Sequence, residues 1–211
     1  MTHSLHRAGG FQNLKEDFVV LSMSAKTVNS RGSAKKMKRF FEILERYGPV
    51  NYGDMKTGNK FNISRDRIFI EIQDTSILHF VYTDIETVEK VFKELQKADL
   101  GLSVVVSGLI GPINEQCSKV GLQMHTVEVS GGIHGKTGML PGKSILEITT
   151  MCGHSMVASR LVEDMIKAIK KRKITLKEAS VELAKPCQCG IFNPKRAEYL
   201  LGRILDATNP F

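Results

Sequence analysis

The sequence lacks tryptophan, and aromatic residues make up only 7% of its 211 positions. It also lacks any apolar run near the roughly 18 residues that cross a bilayer as a helix. The first ten residues, MTHSLHRAGG, include one arginine and no apolar stretch of the kind found in a secretory signal. These absences predict a protein that neither spans a membrane nor is exported, and we expect it to be cytoplasmic.

Cysteine is scarce as well, and the four cysteines are Cys117, Cys152, Cys187 and Cys189. Disulfide frameworks belong to oxidising compartments and are rare in the cytoplasm. With 42% hydrophobic residues, the chain can bury a core without cross-links. The four cysteines are therefore expected to be packing residues, reactive thiols or metal ligands.

The formal net charge is +8, which on its own would suggest nucleic-acid binding. Much of the excess lies in two clusters, at residues 35–39 and 170–173. The second cluster ends a predicted helix, where cations offset the helix dipole. No basic stretch alternates with the aromatic residues that stack on nucleic-acid bases. Nucleic-acid binding is therefore not expected, and the charge fits a small anionic ligand or an acidic protein partner equally well.

Short apolar runs alternate with segments of helical periodicity, which predicts an α/β fold with a mixed sheet, flanking helices and at least some parallel pairing. The predicted strands are residues 18–23, 68–72, 77–82, 102–106, 125–129 and 145–150. The predicted helices cover residues 34–47 and 113–120, a segment that begins at a Thr83–Glu86 capping box, and three segments after residue 155. We expect a sheet domain over residues 1–143. Residues 144–211 would add a last strand and the helices that carry the cysteine motifs, as a separate unit or packed as one domain with the first.

Three cysteines lie in predicted turns, which makes them candidate metal ligands. Cys152 follows the predicted strand 145–150, while Cys187 and Cys189 lie between two predicted helices. Two cysteines one residue apart can point to the same side of an extended segment, and a third from another turn would complete the set. The fourth ligand would be His154, Cys117 or an exogenous group. Cys117, inside a predicted helix, is more simply a packing residue.

Soft thiolate ligands select zinc, copper(I) or iron–sulfur clusters. A Cys₃His set suits structural zinc, whereas three thiolates that leave one iron open suit a cluster that binds substrate. The chain lacks the C-x₂-C pair common in zinc sites, so the sequence favours an iron–sulfur cluster, with zinc as the alternative. A third interpretation is a metal-free enzyme with Cys152 as nucleophile and His154 or His125 as its base.

The segments ITTMCGH (residues 148–154), AKPCQCGIFNP (residues 184–194) and SVVVSG (residues 103–108) resemble the uncharacterised family called methanogenesis marker protein 8. The likeness runs from about residue 17 to about residue 201. The resemblance implies an anaerobic setting, compatible with an oxygen-sensitive cluster. It also implies a role near one-carbon metabolism or cofactor maturation, as an enzyme or an accessory factor. It carries over no catalytic residue.

Overall fold

The computed structural model describes residues 4–208, whose centre is a five-stranded sheet. The strands are β1 (Phe18–Met23), β2 (Asn51–Asp54), β3 (Gly58–Asn59), β4 (Ile77–Tyr82) and β5 (Ser103–Ser107). Their order across the sheet is β3-β2-β4-β1-β5, and each neighbouring pair is antiparallel. The central strand is therefore β4, and β1, which comes first in the sequence, lies between β4 and the edge strand β5.

Helices cover both faces of this sheet. Those before residue 120 are α1 (Phe11–Leu14), α2 (Ala34–Glu45), α3 (Arg65–Ile70), α4 (Ile85–Ala98) and α5 (Ile110–Lys119). The later ones are α6 (Lys143–Thr149), α7 (Ser159–Lys170), α8 (Leu176–Ala184) and α9 (Pro194–Thr208), with a single 3₁₀ turn at Thr137–Met139 before them. Within the described residues, no helix is long and apolar enough to cross a membrane.

The two faces of the sheet are buried in two separate cores. Because successive strand residues point to opposite faces, Phe18 and Val20 of β1 pack with α2, α4 and α5, whereas Val19 packs with the C-terminal helices. Strand β4 divides in the same way, with Phe80 on the first side and Val81 on the second. The α/β class with flanking helices and a helical, cysteine-bearing C-terminal segment is thus confirmed.

The expected parallel pairing is wrong. Strands β4 and β5, joined by α4, are each antiparallel to β1, so they run in the same direction, but β1 lies between them. This is a split β-α-β arrangement. Alternation of strands and helices correctly indicated strands that share a direction, yet it cannot reveal that another strand is inserted between them.

Three predicted strands are also wrong. Residues 68–72 belong largely to α3, where the Ser64 side chain accepts from the main-chain N–H of Arg67 and starts the helix. Residues 145–149 belong to α6 and Thr150 is its C-cap, whose main-chain N–H donates to the carbonyl of Leu146. Residues 125–129 lie outside any helix or strand. Short apolar runs fit a strand or one buried helix face equally well, and local periodicity does not separate them.

Helix ends were predicted more accurately than strands. Thr175 and Glu178 form the expected capping box of α8, with side chains and main-chain N–H groups bonded reciprocally. The helix expected to begin at Thr83 is α4, but its cap is Asp84, which accepts from the N–H of Thr87. The predicted boundary near residue 144 coincides with the start of α6, and the helices beyond it pack on the second face of the sheet.

Candidate metal centre

Cys187 and Cys189 lie in the turn between α8 and α9, and this turn is held by a buried asparagine of the sheet. Asn59 Nδ2 donates to the carbonyl of Cys187 at 2.9 Å and to those of Ala184 and Lys185 at 3.2 Å. Its Oδ1 accepts from the N–H of Phe61 at 2.8 Å. One side chain in β3 therefore bonds three carbonyls at the end of α8, and it adds to the N–H groups of Cys187 and Gly190, which bond two of them.

A close approach between two glycines brings the same turn against β2. Gly190 has φ +76°, and a Cβ built there would lie 2.5 Å from the carbonyl carbon of Tyr52 and 2.6 Å from the nitrogen of Gly53. A Cβ at Gly53 would in turn lie 3.0 Å from the carbonyl oxygen of Cys189. Both the conformation and the space at residue 190 require glycine.

The far end of the turn is fixed by a buried ion network. Asn193 caps α9 by accepting from the N–H of Arg196 at 3.0 Å, and its Nδ2 donates to Asp17 at 3.0 Å. Asp17, just before β1, also pairs with Arg196 at 2.8 Å and with Arg7. Arg7 donates further to the carbonyl of Ile191. The turn that carries Cys189 is thus tied to the N-terminal segment as well as to the sheet.

Cys152 and His154 lie in the turn between α6 and α7, which is a helix-to-helix turn and not the strand-to-helix turn expected. The N–H of Cys152 donates to the carbonyl of Thr149, and the carbonyl of Cys152 accepts from the N–H of Ser155, which has φ +56°. Cys152 is 2% exposed, while Cys187 and Cys189 are fully buried. His154 is partly exposed and lies at the outer side of the three thiols.

The structure brings all four predicted ligands together through a chain of contacts. The free thiol of Cys152 is near enough to that of Cys187 to shift the pKa of both. The sulfur of Cys187 lies 4.0 Å from that of Cys189, which lies 3.6 Å from Nδ1 of His154. Main-chain N–H groups also donate to each sulfur, among them that of His154 to Cys152 and that of Ile191 to Cys189.

The three thiols differ in their pKa because the hydrogen bonds run in one direction. The bond that Cys152 donates to Cys187, together with burial, raises the pKa of Cys152 far above its ordinary value. That bond lowers the pKa of Cys187, but the bond that Cys187 donates to Cys189 and its burial outweigh it and raise the pKa to about 12. The pKa of Cys189 is lowered, chiefly by the bond from Cys187. Cys189 is therefore the thiol of the set whose environment most favours ionisation.

Two residues that the sequence left as candidates for the fourth ligand or the catalytic base lie away from the cysteine turns. Cys117 is buried in the core on the opposite face of the sheet, as expected of a packing residue, so it cannot be the fourth ligand. His125 lies in the segment after α5 and bonds Thr126, on the side of the sheet away from Cys152. Asn59, Asp17 and Arg7 escaped the sequence analysis, since an isolated polar residue beside an apolar run does not reveal its partner.

Within residues 4–208, no group of three or more His, Cys, Asp and Glu side chains already has the arrangement of a metal site. The four side chains touch in pairs without surrounding a common point. No family model matches the chain, and neither a curated protein nor a solved structure matches it. The interpretation of this cluster therefore rests on its own geometry.

Proposed function

We propose that this protein binds a metal through the thiolates of Cys152, Cys187 and Cys189, with the ring of His154 as the fourth ligand. The geometry at Cys189 carries the proposal, because its sulfur lies 4.0 Å from the sulfur of Cys187 and 3.6 Å from Nδ1 of His154. In a tetrahedral zinc site with the usual bond lengths, sulfur–sulfur edges are about 3.8 Å and sulfur–nitrogen edges about 3.6 Å. Both contacts match the edges of such a site.

The N–H groups that point at the sulfurs support the same proposal. Hydrogen bonds from main-chain N–H groups stabilise thiolate charge, and such outer contacts orient the ligands of a metal. Met156 and His154 supply them to Cys152, and Ile191 supplies one to Cys189. A purely apolar packing role for these cysteines would not require donors aimed at sulfur.

The distances favour a single zinc ion over the iron–sulfur cluster predicted from the sequence. Thiolates bound to different irons of a cluster are separated by the metal–metal distance as well as by two metal–sulfur bonds, so they lie farther apart than 4 Å. An iron–sulfur cluster is the second candidate. It is favoured by the partly exposed position of His154, because three buried thiolates can hold a cluster whose remaining iron faces the surface.

Burial of the thiols favours a structural or accessory role over an open catalytic metal. Structural zinc sites are closed, while catalytic ones keep a position for water or substrate. The ion would join the turn after α6 to the turn before α9, and through Asn59 to the sheet. The metal-free enzyme has less support, since Cys152 is held as a buried thiol of raised pKa. The anaerobic, methanogenesis-related role stays a prediction from the sequence resemblance.

The experiment is metal and sulfide analysis of the full chain purified without oxygen, with a visible absorption spectrum. We expect about one zinc per chain in colourless protein. Cys189→Ser and Cys187→Ser should lose the metal, and His154→Ala should weaken its binding. Cys117→Ser is the matched control, because it also removes a buried thiol but lies on the other face of the sheet.

Iron and acid-labile sulfide in stoichiometric amounts, with broad visible absorption, would establish the second candidate in place of the first. A protein that holds neither metal after incubation with zinc, or after reconstitution with iron and sulfide, would overturn the proposal. Equal metal loss in Cys117→Ser and Cys189→Ser would also overturn it, because the loss would then reflect general destabilisation.

A further inference from the structure

A cavity of about 580 Å³ lies between the edge strand β5 and residues 122–130, with α4 and α5 beneath it. Its size is within the range of small-molecule binding pockets. The lining is mainly apolar and includes Leu5, Val106, Ile110, Ile113, Met124 and Val127. Of the four cysteines only Cys117 lines it, so the cavity is separate from the proposed metal centre.

The N-terminal segment closes one side of the cavity through two side-chain contacts. Ser4 Oγ lies 2.5 Å from Ser107 Oγ on β5, and His6 Nδ1 lies 3.2 Å from Ser130 Oγ. These contacts connect the N-terminal segment to the edge strand and to the end of the segment that faces it. The cavity is thus bounded by three parts of the chain that side-chain contacts join, as expected of a formed pocket.

The charged residues that line the cavity are Arg7 and Asp17 at its N-terminal end and Glu128 in the facing segment. Arg7 lines the cavity, its side chain is 6% exposed, and its Nε is buried with no hydrogen-bond partner. The other guanidinium nitrogens of Arg7 donate to Asp17 and to the carbonyl of Ile191. A buried N–H without an acceptor is unfavourable. Nε has no accessible surface in the cavity, so the guanidinium would turn toward a ligand oxygen to gain this missing hydrogen bond.

The charges around Arg7 favour a negatively charged acceptor. Asp17 is shared by two buried guanidinium groups, those of Arg7 and Arg196. A further carboxylate, that of Glu147, accepts from Asn13 but is partly exposed to solvent. The fully buried part of the network therefore has two positive groups and one negative group. Because hydrogen bonds from arginine to a carboxylate are stronger than those to a neutral acceptor, a ligand carboxylate is the favoured acceptor.

We propose that this cavity binds a small amphipathic molecule with an apolar body and a carboxylate head group, which accepts a hydrogen bond from Arg7. The apolar body lies against β5, α5 and residues 122–130, and the head group lies at the N-terminal segment. The partner class is an aliphatic or aromatic carboxylic acid of small-ligand size.

The test is calorimetric titration of the full chain with decanoate and with decanol, which has the same chain length and no charge. Decanoate should bind saturably at one site, and decanol about tenfold more weakly because it lacks the charged acceptor. Val104→Trp places a large side chain at the cavity from β5, where Val104 is 37% exposed, and should abolish binding. Val28→Trp is the matched control, because Val28 is 82% exposed and does not line the cavity.

Arg7→Gln should reduce decanoate affinity to that of decanol while leaving decanol affinity unchanged. If that variant fails to fold, as judged by circular dichroism, the ligand pair and the two tryptophan variants still decide the question. The proposal is overturned by absence of saturable binding, by equal affinity for decanoate and decanol, or by unchanged binding in Val104→Trp. A decanoate-independent dimer that disappears in Val104→Trp would instead assign this edge to a second copy of the chain.

Discussion

Replacing Gly190 with alanine tests whether the cysteine turn is held by its close approach to β2. The added Cβ would lie 2.5 Å from the carbonyl carbon of Tyr52, 2.6 Å from its oxygen, and 2.6 Å from the nitrogen of Gly53. These are main-chain atoms of an interior strand, so they cannot move aside as the end of a flexible side chain can. Gly190 also has φ +76°, in the left-handed region that disfavours alanine.

Two costs add in this variant. The left-handed conformation costs about 1–2 kcal/mol for a residue with a Cβ. The overlap with β2 forces a backbone shift that costs about 1–3 kcal/mol more. Gly32→Ala is a matched control, because Gly32 has the same φ of +76° but a Cβ there would meet no atom within 4 Å. Gly32→Ala should therefore lose only the stability that the left-handed conformation costs.

The assay is urea unfolding followed by circular dichroism. With a slope of about 2 kcal/mol per molar urea, the midpoint should fall by about 1–2.5 M in Gly190→Ala and by about 0.5–1 M in Gly32→Ala. Displacement of the turn should also reduce the zinc content of Gly190→Ala but not of Gly32→Ala. Equal midpoints for the two variants would refute the reasoning, since the contact with β2 would then contribute nothing.

Three further predictions concern the contacts around the cysteine turns. Asn59→Ala should lower the free energy of unfolding by about 2–4 kcal/mol in urea, because three hydrogen bonds from this buried side chain to the carbonyls at the end of α8 are lost together. Asp17→Asn should lower it by about 3–5 kcal/mol, seen as a clear fall in Tm, because two buried guanidinium groups lose their counter-charge. In metal-free protein, stability should rise with pH as Cys189 ionises, since its pKa is lowered in the folded state. Above an unfolded thiol pKa of about 8.5, stability should fall with pH while Cys152 and Cys187 retain their protons. These two thiols contribute at most about 2.7 kcal/mol per pH unit to that fall.

Each of these has a control on the same chain. Asn62→Ala removes an exposed asparagine that bonds one of the same carbonyls, and Asp164→Asn removes a surface pair with Lys167; both should cost less than about 1 kcal/mol. Cys152→Ala should flatten the alkaline fall in stability, whereas Cys117→Ser should leave most of it. If stability falls equally with rising pH in wild type and in Cys152→Ala, the raised pKa of Cys152 is contradicted. If Asn59→Ala lowers the free energy of unfolding no more than Asn62→Ala does, the role of Asn59 is contradicted.

Helices and their ends were predictable because the determinants are local. The capping box of Thr175 and Glu178 and the cap at Asn193 involve residues three positions apart, and helical periodicity repeats within a single segment. Strands were harder, because pairing joins distant residues. Val19 of β1, for example, lies opposite Val81 and Ser107, and nothing near residue 19 indicates either partner.

In the candidate site, too, the residue types could be predicted from the sequence but their contacts could not. Cys152, Cys187, Cys189 and His154 were identified because reactive residue types in glycine-containing turns are visible along the chain, and the structure brings them into contact. The order of their interactions, which lowers the pKa of Cys189 and raises those of Cys152 and Cys187, was not visible. Nor did any pattern indicate that the ring of His154 would contact Cys189.

The α/β class, the C-terminal helices and the residue types of the site could be predicted from the sequence, because they follow from local propensity and side-chain chemistry. The tertiary structure alone decided that the sheet is antiparallel, that β1 lies between β4 and β5, and that Asn59 and Asp17 hold the cysteine turn. The physical reason is that burial and long-range hydrogen bonding fix partners across more than a hundred residues of chain. A thiol's pKa and a metal's coordination geometry depend on those partners.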